Sequence, residues 1–164
     1  IQQPITVIKN TLTELKITKT PNKTAYVVGQ NFDKTGMIVI GIYENGSTQE
    51  IVNYTIENGT NLSLNQTYVT IKYNNKEINQ NITVEEKTIT GIVISKIPTK
   101  TQYIQGKEQL DLLGGLINIS YNDGSNEEMS MSNDQVEVTG FNNKNIGKNT
   151  ILVTYKSKTA TFDI

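Results

Sequence analysis

The chain contains no cysteine, histidine, tryptophan or arginine. Without cysteine, neither a disulfide nor a thiolate metal site can form. Without histidine, the commonest general base and metal ligand is missing, so a Ser-His or Cys-His nucleophilic centre is excluded. All 15 basic residues are lysine; 16 acidic residues bring the net charge to −1, with a pI near 5.5. Such a balance provides no electrostatic footprint for nucleic acid or for an anionic membrane surface. No apolar run approaches the roughly 20 residues of a membrane span. Residues 1–10 lack the charged, then apolar, then small-residue pattern of a secretory leader. The expected chain is a monomer that takes no cofactor, binds no nucleic acid and does not insert into a membrane.

Isoleucine, valine, threonine and tyrosine dominate the apolar and semi-apolar residues, a composition that favours strands. Asparagine, serine and glycine make up much of the remainder and suit polar turns between short strands. The most informative feature is a duplication. Residues 19–29 read Lys-Thr-Pro-Asn-Lys-Thr-Ala-Tyr-Val-Val-Gly, and residues 96–106 read Lys-Ile-Pro-Thr-Lys-Thr-Gln-Tyr-Ile-Gln-Gly. Each copy is followed by an apolar residue and an aspartate (Phe32-Asp33, Leu110-Asp111) and then by Gly36 or Gly114. Two units of about eighty residues are expected, residues 11–86 and 87–164. Residues 4–11 also resemble residues 81–88, the close of the first repeat. Residues 1–10 therefore read either as the last strand of a preceding unit or as a lead-in to the first.

Within each unit, alternation predicts the strands. Thr13, Leu15 and Ile17, with Thr90, Ile92 and Ile94, form a short first strand with one face inward. Pro21 and Pro98 interrupt it, as proline does at an edge or a switch between sheets. Asp33 to Gly36 and Asp111 to Gly114 read as type I turns, with the carboxylate accepting a local N–H, rather than as calcium ligands. Next comes a core strand, with Met37, Val39, Gly41 and Tyr43 on one face and Gly115, Ile117, Ile119 and Tyr121 as counterparts. Asn45-Gly46 and Asp123-Gly124 then predict type I′ hairpins. Return strands are expected at Thr48–Val52 and Asn126–Met131. A final hairpin closes each unit, turning at Asn74-Asn75 and at Lys156-Ser157. Gln80, aligned with Phe162, is the one poor core position and is expected near a sheet margin. Between residues 53–65 and 132–147 the copies diverge in sequence and length, as connecting loops do. Only Glu85, Glu86 and Lys87 separate the units. So short a link predicts an end-to-end arrangement, each unit adding about 30 Å.

The combined pattern of Leu-Thr-x-Leu-x-Ile-x-Lys, Pro-x-Lys-Thr-x-Tyr-x-x-Gly, Phe-Asp-x-x-Gly and Tyr-x-Asn-Gly-Ser, closed by a Val-x-Ile-x-Tyr hairpin, resembles the bacterial immunoglobulin-like domains of group 3. The resemblance covers residues 11–84 and 87–164. The second copy departs from the pattern by one inserted residue between Gly106 and Leu110, by Gly115, and by a longer variable segment. The resemblance implies an all-β fold: two tandem Ig-like sandwiches of seven or eight antiparallel strands. It also implies an extracellular setting, at the cell surface or secreted, in a Gram-positive bacterium, which the asparagine- and lysine-rich, arginine-free composition matches. The implied role is spacer, stalk or adhesive module, and no catalytic activity is implied.

Catalysis by paired carboxylates would need two acids converging on one bond. The pairs Glu85-Glu86 and Glu127-Glu128 are neighbours in strands and point to opposite faces. An isopeptide link between lysine and asparagine has no inward lysine with an acid opposite to support it. Binding of cell-wall or host glycans, or of host proteins, would use the variable loops. Six of the eight tyrosines sit at matched inward positions, which leaves Tyr54 and Tyr68 as candidate binding residues; no metal ligands and no catalytic residues are assigned. The expected function is a non-catalytic spacer or stalk with adhesion. The alternatives are a ligand-binding module and an accessory part of a secreted carbohydrate-active enzyme, beside neighbouring domains of the parent chain.

Overall fold

The structure, a computed structural model, describes residue 3 and residues 5–164. It is all-β and divides into two compact units, the first ending at Glu86 and the second running Lys87–Ile164. In unit 1 the strands are β1 Leu12–Lys19, β2 Ala25–Val27, β3 Ile38–Tyr43, β4 Thr48–Glu50, β5 Thr55–Glu57, β6 Tyr68–Tyr73, β7 Lys76–Asn81 and β8 Thr83–Glu85. One antiparallel sheet has the order β1-β3-β4 and the other β5-β6-β7. Strand β2 pairs in parallel with β8, which continues β7 after Ile82. The chain therefore changes sheets just after Pro21, as the proline predicts, because proline cannot donate to the first ladder. Unit 2 repeats the order with β9 Ile89–Lys96, β10 Leu116–Tyr121, β11 Asn126–Ser130, β12 Glu137–Thr139, β13 Thr150–Tyr155 and β14 Lys158–Asp163. Its sheets are β9-β10-β11 and β12-β13-β14. Among the described residues, unit 2 has no counterpart of the β2–β8 pair.

The inward residues follow the alternation of the core strands. Val39, Val69 and Ile71 are sealed in unit 1, as are Ile117, Ile119, Ile151 and Val153 in unit 2. Residues 5–10 form no strand, and Ile5, Val7 and Ile8 are exposed; of the lead-in, residues 1, 2 and 4 lie outside the described set. Gln80 is buried at 5 % exposure, one step from the end of the β6–β7 ladder, and donates its amide to the Asn81 carbonyl at 2.7 Å. A buried amide is tolerated there because its polar atoms find partners.

Four readings are corrected. In β1, Leu12 and Leu15 point inward and Thr13 outward, because a register shift between Leu12 and Glu14 breaks the alternation. The Thr13 hydroxyl bonds the Ile42 carbonyl, and Thr90 does the same to Ser120 in unit 2. Second, the Asn45-Gly46 and Asp123-Gly124 hairpins are not type I′. Only the glycines have positive φ (78° and 80°), Gly46 N–H bonds the Tyr43 carbonyl, and Tyr43 N–H bonds Ser47. This is a type I turn closed by a glycine bulge. The double positive φ of a type I′ turn occurs in the closing hairpins instead, at Asn74 and Asn75 (44°, 60°) and at Lys156 and Ser157 (40°, 66°). Third, the Asp33 and Asp111 carboxylates accept the N–H of Thr35 and Leu113 as expected. The β-turn lies one residue on, with Gly36 and Gly114 at its third position in the type II geometry. Fourth, the divergent segments are not plain loops: β5 and β12 lie in them, each with one inward apolar residue, Ile56 or Val138. A three-residue strand is too short for alternation to reveal.

Gly41 interrupts the inward face of β3 where unit 2 has Ile119. A Cβ on Gly41 would lie 2.7 Å from Leu12 Cδ1 and 3.2 Å from Ile51 Cδ1. The glycine makes room for two large neighbours. Gly41→Val is expected to destabilise unit 1 by about 1–3 kcal/mol through overpacking. Adding Leu12→Ala should recover part of that loss, read as a coupling term in urea denaturation of the single and double variants.

Candidate functional site

Two kinds of place have to be weighed: the repeated Lys-Thr-x-Tyr stretch and the divergent segments. The repeated stretch is an internal clasp. Tyr26, at 3 % exposure, donates its hydroxyl to the Lys23 carbonyl (2.9 Å) and accepts the Asp33 N–H (3.1 Å). Tyr103 makes the same two bonds, to Lys100 (3.0 Å) and from Asp111 (3.1 Å). The lysine ammonium lies over its own tyrosine ring in each copy, at 4.7 and 5.0 Å. Burial raises the Tyr26 hydroxyl above its ordinary value, opposed by the bond to the Asp33 backbone. In unit 1, Lys23 reaches Gln30, whose amide oxygen also accepts the Val27 N–H. In unit 2 the inserted residue brings Glu108 to that place, where it takes Lys100 at 2.6 Å and the Ile104 N–H at 2.7 Å. Hydrogen bonds from Lys100 and Ile104 hold the Glu108 carboxyl below the usual range. Each polar atom of the motif is turned to its own neighbours, and none is presented to a ligand.

Tyr54 and Tyr68 are not brought together. The β5–β6 register sets Thr55 opposite Lys72, so Tyr54 lies beside the Tyr73 end of β6. Tyr68 begins that strand, about 17 Å away along it. Tyr54 is half-buried against the unit 1 core, with Lys34 Nζ 5.1 Å from its ring centroid, and burial raises its hydroxyl pKa. Tyr68 is 44 % exposed and stands at the rim of an open, polar depression of about 410 Å³ with Asn58, Asn61, Asn65 and Gln66. Those three asparagines have positive φ, a conformation that asparagine tolerates better than most residues. Gln66 spans the depression, its amide donating to the carbonyls of Asn58 (2.7 Å) and Tyr68 (2.9 Å). The result is a preformed amide-lined surface with one exposed aromatic ring. Runs of asparagine, read from sequence as chance, were the signal for it.

The first strand of each unit is tied to its first hairpin. In unit 2, Lys87 Nζ reaches Ser125 Oγ (2.8 Å) and Asp123 Oδ2 (3.1 Å) and lies 4.4 Å from the Tyr121 ring centroid. The Ser125 hydroxyl and N–H, then Lys87, lower Asp123 to about 2. The Tyr121 hydroxyl donates to Glu127 Oε2 at 2.8 Å and is pushed up to about 12, first by that bond. This occupies one member of the Glu127-Glu128 pair, and the two residues take opposite faces of β11, set across from Ile119 and Asn118. Among the described residues no three carboxylates gather as a metal would require.

Residues 97–164 match the family described as bacterial Ig-like domain (group 3). Unit 2 is a group 3 bacterial Ig-like domain. The chain is also similar to a pectate lyase L of Thermoclostridium stercorarium, with 27 % identity over 171 residues. That match takes in 96 % of this chain, so it includes unit 1 as well as the Ig-like unit 2, but the chain spans only 14 % of the relative's length.

Two outcomes follow from the clasp and the hairpin. Tyr26→Phe leaves the Asp33 N–H and the Lys23 carbonyl without their shared partner and should cost unit 1 about 1–3 kcal/mol by chemical denaturation. Asp123 has a folded pKa below its unfolded value, so its contribution is complete above about pH 4 and is lost as pH falls towards 2. A pH series of denaturation midpoints should show unit 2 weakening in that window, with a smaller decline in Asp123→Asn.

Proposed function

We propose that the chain is a non-catalytic accessory segment of a larger extracellular protein that acts on polysaccharide, with its two units serving as spacer between other modules. The observation that carries this reading is the span of the pectate lyase match, nearly the whole of this chain against a small fraction of the relative. A polypeptide without histidine or cysteine, folded so that its carboxylate pairs diverge, supplies no acid–base centre of its own. The reaction therefore belongs to another part of the parent, and the end-to-end arrangement expected from the short link is part of the same proposal.

Charge favours spacing over direct pectate binding. A polyanion calls for a cationic face or bound calcium, whereas several lysines here are neutralised locally: Lys72 by Glu57 and Glu77, Lys100 by Glu108, and Lys148 by Asp163. The Tyr68 depression favours a second reading, adhesion to a neutral glycan of cell wall or host through stacking on the exposed ring. Affinity electrophoresis of the 164-residue protein in polygalacturonate, xylan, glucan and peptidoglycan separates the two. The spacer reading expects no retardation in any gel. Saturable retardation abolished by Tyr68→Ala would overturn it in favour of a binding module.

A further inference from the structure

Unit 2 holds an open cavity of about 710 Å³ between residues 101–105 and 141–149, with Ile164 at its margin. The corresponding space in unit 1 is filled by β8. There the Thr83 N–H donates to the Thr24 carbonyl (2.9 Å), the Val28 N–H to the Glu85 carbonyl (2.9 Å), and the Asn65 N–H to the Val84 carbonyl (3.2 Å). Val84, 5 % exposed, completes the core. Alignment of the repeats, with Gly29 N–H on the Leu62 carbonyl matching Gly106 N–H on Asn143, puts Thr101, Gln105 and Ile146 at the places of Thr24, Val28 and Asn65. Among the described residues, the Thr101 carbonyl and the N–H groups of Gln105 and Ile146 have no hydrogen-bond partner. Ile104 is 60 % exposed where Val27 is 7 %. These are the marks of a strand edge that has lost its neighbour.

Ile164 stands where Ile82 stands. The Ile82 N–H donates to the Thr67 carbonyl at 2.9 Å, and the Ile164 N–H donates to the Asn149 carbonyl, the matching residue, at 3.0 Å. From Ile82 the chain of unit 1 runs straight into the slot. We propose that the cavity of unit 2 is an acceptor for a single β-strand: an extended peptide joined to Ile164, paired in parallel with residues 101–105 and carrying a β-branched apolar residue at its second position. The backbone groups left open occur at strand spacing, which suits a peptide through its main chain and the apolar side chain through the pocket. The tripeptide that fills the slot in unit 1, Ile82-Thr83-Val84, recurs as Ile5-Thr6-Val7, where Ile5 and Val7 are 88 % and 91 % exposed. The sequence thus spells a slot-filling strand twice. This inference does not depend on the accessory-segment reading.

The test uses three versions of the full chain: unextended, extended after Ile164 by Thr-Val-Glu, and extended by Thr-Asp-Glu. Amide hydrogen exchange is followed at Tyr103 and Gln105, with sedimentation to report association. The Thr-Val-Glu extension is expected to slow exchange at Gln105 about tenfold or more, while Thr-Asp-Glu leaves it near the unextended rate. Equal exchange in all three proteins would overturn the proposal. So would protection in the unextended protein that grows with concentration and disappears in Val7→Asp, since residues 5–7 of a second copy would then be the occupant.

Discussion

Nothing but side-chain packing joins the two sheets of either unit, because the chain has no cysteine to cross-link them. Immunoglobulin-like sandwiches of other kinds set a disulfide and a tryptophan between their sheets. Here the same place is taken by β-branched and aliphatic residues: Val39 with Val69 and Ile71 in unit 1, Ile117 and Ile119 with Ile151 and Val153 in unit 2. Domains of this size bury a small core, so each inward position carries a large share of the stability. That constraint explains why the inward faces of the central strands are nearly free of polar groups, and why Gln80 appears only next to the end of a ladder with its amide bonded.

Around that core the repeated tyrosine performs a second task. Its hydroxyl joins the lysine carbonyl before it to the aspartate N–H beyond it, so the segment after the proline is held to the turn that begins the next strand. The aromatic neighbour comes from different places in the two units. Tyr26 packs on Phe32 at 6.0 Å, whereas Tyr103 packs on Phe141, from the divergent segment, at 4.9 Å. The clasp is common to both units and its surroundings are not. Specific surface features accordingly lie in the segments where the copies differ, with the Tyr68 depression in one and the open strand edge beside Phe141 in the other.

Much of the fold was legible because its signals are local. Alternation at Val69, Ile71, Ile151 and Val153 marks buried faces, and Pro21 marks a change of sheet. The errors have equally local causes. The Leu12–Leu15 spacing is a bulge, which shifts the inward face in a way that period-two reading cannot follow. Asn-Gly and Asp-Gly suit both a type I′ turn and a type I turn with a glycine bulge, and hydrogen bonding across one more residue selects the latter. The true type I′ turns use Asn74-Asn75 and Lys156-Ser157, the second of which carries no residue favouring positive φ; the ladders on both sides impose it. Of the candidate site, Tyr68 was recognisable as an unmatched aromatic, and Tyr54 was not distinguishable from it. Their separation follows from the register of β5, a strand that three residues do not announce. The strand slot was invisible because it is defined by a difference between units rather than by any motif.

The two cores also fill one position by different routes. In unit 1, Met37 packs from β3 while Asn53, on the returning side, is exposed. In unit 2 the position of Met37 is Gly115, and Met131, the counterpart of Asn53, folds into the space, its sulfur 2.7 Å from where a glycine Cβ would stand. Adjacent repeats on one chain are prone to exchange strands as they fold. A hybrid that combined the Met37 strand with the Met131 return would crowd two thioethers into one site, and the opposite hybrid would leave a void lined by Gly115 with an asparagine beside it. The relocated methionine thus acts as a lock and key between neighbouring repeats, letting each nascent unit reject its sibling's strand while keeping the same fold.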